Sequence, residues 1–452
     1  MSKKTNKRAN PQGMERYRKQ MVQFLCHLIR IPSVKGTPTP KAPFGRIPLE
    51  TLNVFLSNAR EQEFRTATLG GKVGYLEFGP EKGPLIAAVC HLDVVPAGHW
   101  QTAFSPVVTE TEVIGRGAAD NKGPAAAVFY AMKALKDDGF RPRCRIRLIL
   151  GLDEETDCAC MAHYREHAEL PVAAFTPDAD FPVISAEKGI VHFQIRYTEP
   201  EVLTSPDGLR LAQMTGGTKV NVVPELSRYD LRSAAKERRT HTVNGRAAHA
   251  ATPQEGFNAI SMAMRELQEK GFRSSLIDWY NRAIGYETDG RSLGIQTADE
   301  PSGALTFNVG LVEFDGTDWI FTCDLRYPVT ADGKQIMKQL ETQVSEFGGR
   351  LDPEHVEHMP PLHLPPEHTL IRTLMAVYNE QTGDQAKPIG FGGGTYARTL
   401  PNTVAFGAVF PNESSNMHQA GEKINIDSLV KASEIYYHTF IRLDQVYGSI
   451  DD

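Results

Sequence analysis

No uninterrupted apolar run in these 452 residues approaches the roughly 20 needed to span a bilayer, so no membrane segment is expected. Cysteine is scarce. Cys26, Cys90, Cys144, Cys158, Cys160 and Cys323 sit in apolar runs or beside acidic motifs rather than at framework spacings, which excludes a disulfide scaffold. Reduced thiols in a cytoplasmic compartment are the expectation. An excess of charge of one sign is also missing: 49 basic and 55 acidic residues give a net charge of -6, with no electrostatic basis for a nucleic-acid partner. Internal repeats and low-complexity tracts are absent, and 41% hydrophobic residues exclude general disorder. Residues 1–13 are basic and polar with no apolar run behind them, and are expected to form a solvated tail rather than a secretion signal.

A chain of this length exceeds what one hydrophobic core usually supports, so two domains are expected. Apolar residues at helical spacing from Met14 end before Pro32, and Leu-Ile-Ala-Ala-Val-Cys at 85–90 reads as a strand buried on both faces. A helix over 123–138 stopping at Gly139, then strands over 143–150 and 172–176, make a strand-helix-strand series in which each strand ends at an acidic motif. This order predicts an α/β fold with a mixed, mainly parallel sheet flanked by helices and a crevice at the carboxyl ends of its strands. After Lys188 the character changes to longer strands (191–197, 305–314, 319–327) with helices over 256–270 and 333–347. From about Pro366 helix, strand and helix return, and Pro360-Pro361 with Pro365-Pro366 read as the return linker. The expected division is a tail at 1–13, one domain made of 14–187 and 366–452, and an inserted α+β domain at 188–365.

The chemistry-bearing residues concentrate at the strand ends. His91 and Asp93 lie two apart, so both side chains leave one face. Asp120 follows Gly115-Arg116-Gly117 and stands at a helix start, where capping is the ordinary role. Glu154 and Glu155 are adjacent and diverge in extended backbone, so one ligand and one base is the economical assignment. Asp178, after Thr176-Pro177, is taken singly a turn residue, and His418 a loop imidazole. Taken together they are the ligand types that suit two divalent cations sharing a carboxylate, with an acid left over for a proton. The run Gly392-Gly393-Gly394-Thr395 lets backbone N–H groups approach an anion closely, or else marks a turn needing positive φ. No Gly-Lys-Ser/Thr follows, so a phosphate loop is excluded.

His91-X-Asp93, Gly117-X-X-Asp120-Asn121-Lys122-Gly123, Glu154-Glu155, Asp178 and the late His418 resemble the dimetal amidohydrolases that include ArgE, DapE, aminoacylase and carboxypeptidase G. Phe391 to Arg398, Asp324-Leu325-Arg326-Tyr327-Pro328 and the large insertion are most similar to the PepV dipeptidase branch. The resemblance implies that Asp120 bridges two cations, zinc first with manganese or cobalt as alternatives, His91 and Asp178 completing one site and Glu155 and His418 the other. It implies a cis peptide at Asp120-Asn121, Asp93 orienting His91, Glu154 as general base, and an inserted lid. There His249 stabilises the oxyanion and Asn221 and Arg326 hold substrate; Gly393, Gly394 and Thr395 hold its carboxylate. The implied substrates are unblocked dipeptides, and a lid of this length implies a monomer. N-acyl amino acid deacylation or desuccinylation is the alternative enzyme, and a metal- or amino-acid-binding protein without catalysis is the alternative from another class.

Overall fold

The computed structural model describes residues 13–235 and 237–449; most of the expected tail, residues 1–12, lies outside them. The chain forms two units, the first from the described residues up to Ser185 with Leu364–Ile389 and those from Gly394 on, the second from Ala186–His363 with Gly390–Gly393.

In the first unit the sheet runs in the order Arg65–Leu69, Val73–Phe78, Arg145–Gly151, Leu85–His91, Ala173–Thr176, Thr403–Phe406, Val183–Glu187. The central neighbours are parallel and the outer ones antiparallel. All seven residues of Leu85–His91 are buried, as a strand covered on both faces must be. Helix Lys122–Asp137 is buried along most of its length because its Ala-rich sequence lets neighbours approach closely, and Gly139 ends that segment at φ +70. The last helix, Ile426–Tyr447, returns to this unit and is tied into it. Ser433 Oγ donates to the carbonyl of Ala127 (2.8 Å), and the buried Asp444 accepts the N–H groups of Arg143 (2.8 Å) and Cys144 (2.7 Å) just before strand Arg145–Gly151.

Parallel register is what assembles the chemistry. His91 lies opposite Gly151 at the ends of two adjacent strands, and Ala173–Thr176 runs alongside in the same direction. The residues just beyond all three strands therefore emerge at one sheet edge: His91 to Asp93, Asp153 to Glu155, and Asp178.

The second unit is a seven-stranded antiparallel sheet in the order Arg238–Asn244, Leu226–Arg232, Arg210–Gly216, Thr306–Phe314, Asp318–Tyr327, Gly189–Thr198, Arg350–Met359. Helices Ala259–Glu269, Ser275–Ala283 and Gly333–Ser345 share its core with Trp279, Tyr280, Trp319 and Phe321. The alternating burial of Gly189–Thr198 is that of a strand with one covered face. Among the described residues, no helix is long and apolar enough to cross a membrane.

Candidate metal centre

Asp120 is the pivot of the first unit's site. Its Oδ1 lies 2.8 Å from His91 Nε2 and its Oδ2 lies 2.8 Å from His418 Nε2, so each carboxylate oxygen serves a different imidazole. Asp178 Oδ1 stands 3.4 Å from His91 Nε2, and Glu155 Oε2 stands 3.0 Å from His418 Nε2. Two three-residue ligand groups result, His91/Asp120/Asp178 and Asp120/Glu155/His418, each with one donor atom per residue within 4.8 Å of the others. Glu154, adjacent to Glu155 in sequence, belongs to neither.

Asp120 is not a helix cap. The cap position of Lys122–Asp137 is Asn121, whose side chain makes no capping bond; its amide instead donates to Pro177 O (2.7 Å) and Asp178 Oδ1 (2.9 Å). The Asp120–Asn121 peptide is cis, as the resemblance implied. His91 Nδ1 donates to the main-chain carbonyl of Asp93 at 2.9 Å, whereas the Asp93 carboxylate is 3.5 Å away. Both the carbonyl and carboxylate Oδ1 of Asp93 thus face His91 Nδ1, the carbonyl closer, while Asp93 Oδ2 accepts the N–H of Glu155 (3.1 Å).

A carbonyl can only accept, so a neutral His91 carries its proton on Nδ1 and turns the Nε2 lone pair toward two carboxylate oxygens. Acceptor facing acceptors is repulsive unless a positive charge lies between them. The electrostatics repeat the point. Burial raises Glu154 well above the usual carboxylate range, with Asp178 adding to it, and likewise raises Glu155 to about 7 and Asp178 to about 6. Burial opposes charge on both histidines, yet their carboxylate neighbours outweigh it: His91 is raised well above its ordinary value and His418 to about 11. Four carboxylates and two imidazoles drawn together at one sheet edge are short of positive charge, and this N/O donor set fits a pair of divalent cations.

In the second unit, segments holding Asn221 and His249 lie side by side: Val222 bridges His249, and Ala250 N donates to Asn221 O (3.0 Å). His249 Nδ1 accepts the N–H of Ala251 (3.2 Å), which puts the proton of the neutral ring on Nε2. Arg326 is buried and committed: Nε and Nη2 pair with both oxygens of Asp324 (2.9 and 3.1 Å), and Nη1 donates to Gly392 O (2.7 Å). None of Gly392, Gly393 and Gly394 has a positive φ, so the turn explanation of the glycine run does not hold. Space does: a Cβ on Gly393 would meet the Phe391 ring at 2.3 Å, and one on Gly394 the Arg398 guanidinium at 3.1 Å. Thr395 Oγ1 accepts Ala397 N (3.1 Å), capping the short helix Tyr396–Thr399.

The model of the peptidase family M20/M25/M40 matches residues 87–442. The chain belongs to this family. A Bacillus subtilis (strain 168) protein named "Putative dipeptidase YtjP" is 34% identical over 95% of this chain and 98% of its own length. Among solved structures, human carnosine dipeptidase 1 (TM-score 0.60, 14% identity, 96% of this chain and 97% of that one) and aminopeptidase PepT from Bacillus cereus (TM-score 0.59, 17% identity, 95% and 99%) share the fold. As an M20 peptidase the chain is a metal-dependent hydrolase.

Two residues of this M20 centre escape sequence reasoning. Glu422 is fully buried, pairs with Arg116 (2.6 Å) and accepts the N–H groups of Gly117 (2.9 Å), Ala119 (3.1 Å) and Asp120 (3.1 Å), so it holds the loop that presents the Asp120 carboxylate. No local pattern marks it, since it lies in a loop and its partners are about 300 residues away. Tyr396 is fully buried, edge-on to the His91 ring (centroids 6.1 Å apart, 84°), with its hydroxyl at Cys160 Sγ (2.9 Å). Gly151 is required beneath it, since a Cβ there would lie 2.1 Å from that hydroxyl. Burial pushes the thiols of Cys90, Cys158 and Cys160 up, so they are protonated and poorly nucleophilic at neutral pH.

Proposed function

We propose that this M20 peptidase is a dipeptidase that uses two divalent cations, zinc first with manganese or cobalt also accommodated, to hydrolyse the amide bond of unblocked dipeptides. The observation that carries the reading is the division of Asp120's two oxygens between two ligand groups. His91, Asp120 and Asp178 would hold one cation, and Asp120, Glu155 and His418 the other. When bound, such a pair supplies Lewis acidity that lets water act as a nucleophile near neutral pH.

The chain's own residues do the rest. Glu154, outside both groups and raised by burial, takes the proton of the attacking water at its carboxylate and returns it to the leaving amine nitrogen. Asp93 fixes the position of the acidic pair through the Glu155 N–H and of His91 through its carbonyl. In the same reading the inserted unit is the lid. His249, with Nε2–H as its donor, stabilises the developing oxyanion, and Asn221 and Arg326 hold substrate, Arg326 also donating to Gly392 O of the glycine run. Gly393, Gly394 and Thr395 receive the substrate carboxylate, and the protein acts as a monomer on small peptides.

The test is a chelate-and-restore assay over a panel of dipeptides and their N-acetylated forms, with elemental analysis. Hydrolysis of the free-amine compounds that is lost with chelator and regained with metal is expected. Selective cleavage of the acylated forms would make the enzyme a deacylase, and metal binding without any hydrolysis would reject catalysis.

A further inference from the structure

A second kind of ligand cluster stands apart from the centre, on helix Ala159–His167. His163 and His167 are four apart and so lie one above the other on one helix face, with Glu166 beside them. One donor atom from each of the three falls within 4.8 Å of the others. The two rings are stacked, centroids 4.0 Å apart at 26°.

We propose that His163, Glu166 and His167 form a separate binding site for a borderline transition-metal ion of the Zn2+, Ni2+ or Cu2+ class, outside the dinuclear centre. Three details support it. His167 Nδ1 donates to the carbonyl of His163 (2.9 Å), which fixes the tautomer and leaves Nε2 with its lone pair, the arrangement a metal-ligating histidine needs. His163 is half-buried while Glu166 and His167 are exposed, so the cluster is anchored at one end and open to an incoming ion at the other. Residue 70, facing the ring, is glycine at φ +58, and a Cβ there would sit 2.8 Å from His163 Nε2, in the space a ligand of that nitrogen needs.

Two imidazoles and one carboxylate suit transition ions rather than Mg2+ or Ca2+, which prefer oxygen. Three protein ligands leave coordination positions open to solvent. Binding requires the stacked rings to tilt toward a common point, which the exposed end of the helix permits. Occupancy is therefore weaker than at the buried centre and appears only when metal is in excess.

The full chain without any tag is dialysed against excess Zn2+, alongside His163→Ala/His167→Ala and the milder His167→Gln, and bound zinc is counted per chain. The wild type is expected to hold one ion more than the double variant, with thermal melting and peptide hydrolysis unchanged. Equal counts would overturn the proposal, whatever the number at the dinuclear centre. Cu2+ added to zinc-filled protein provides the second readout. Its electron paramagnetic resonance spectrum is expected to show two coordinating nitrogens in the wild type and one in His167→Gln; identical spectra would overturn it too.

Discussion

The His91 group and the His418 group share Asp120 but differ in almost everything else. His91 is fully buried at the end of a seven-residue strand, its ring pinned by the Asp93 carbonyl and its partner Asp178 pinned by Asn121. His418 has 53% of its side chain exposed, lies on a loop at φ +62, and lines an open cavity of about 580 Å³ with residues 96–102, Arg116 and Ala420. One group is built into the sheet edge; the other is completed by a loop from the far end of the chain. Equal ligand counts therefore do not make equal surroundings: the first group is held by buried hydrogen bonds, whereas the second depends on an exposed loop residue.

The comparison breaks most decisively at Glu154, which belongs to neither group. Glu154→Ala is expected to retain both ions by elemental analysis while kcat falls by on the order of 10²- to 10⁴-fold, the usual contribution of a general base. Loss of an ion would make Glu154 a ligand and redraw both groups. Next come the two histidines. His91→Ala is expected to release its ion and loosen the other through the shared Asp120, whereas His418→Ala keeps one ion per chain; competition with a chromophoric chelator reads both. Matching losses would show that the two sites are not distinct in strength.

A smaller effect sharpens the link between them. Glu422 lies four residues after His418 yet holds the backbone that presents Asp120, so Glu422→Gln strips the charge from a buried pair with Arg116. Destabilisation of about 3 kcal/mol in denaturant unfolding is expected. A change below about 0.5 kcal/mol would assign the loop's order to other contacts. The smallest effect is at Cys158, whose thiol donates to the Glu154 carbonyl (3.6 Å) beside the centre. Cys158→Ser is expected to leave kcat/KM within about twofold, because a thiol held protonated takes no part in the chemistry.

What could be read from the amino-acid order follows the same division. Leu85–His91 and Lys122–Asp137 were legible because burial on all sides leaves continuous apolar or Ala-rich runs, and the acidic motifs directly after such strands mark a parallel-sheet edge. The edge strands Arg238–Asn244 and Arg350–Met359 were not, since an exposed strand needs no apolar alternation and protects itself with charge. Helix Arg46–Glu61 escaped for another reason: it opens Arg-Ile-Pro-Leu without a capping side chain, so no start signal marks it. At the centre, ligand types were readable, but the hold of Asn121 on Asp178, the carbonyl contact to His91 and the grip of Glu422 depend on which groups meet in space.

Anomalous diffraction at the zinc edge, from crystals grown with zinc, tests the shared carboxylate most directly. Two peaks about 3.5–4 Å apart are predicted, one against each oxygen of Asp120, with the peak beside His418 the weaker. A single peak, or two peaks without Asp120 between them, would contradict the account.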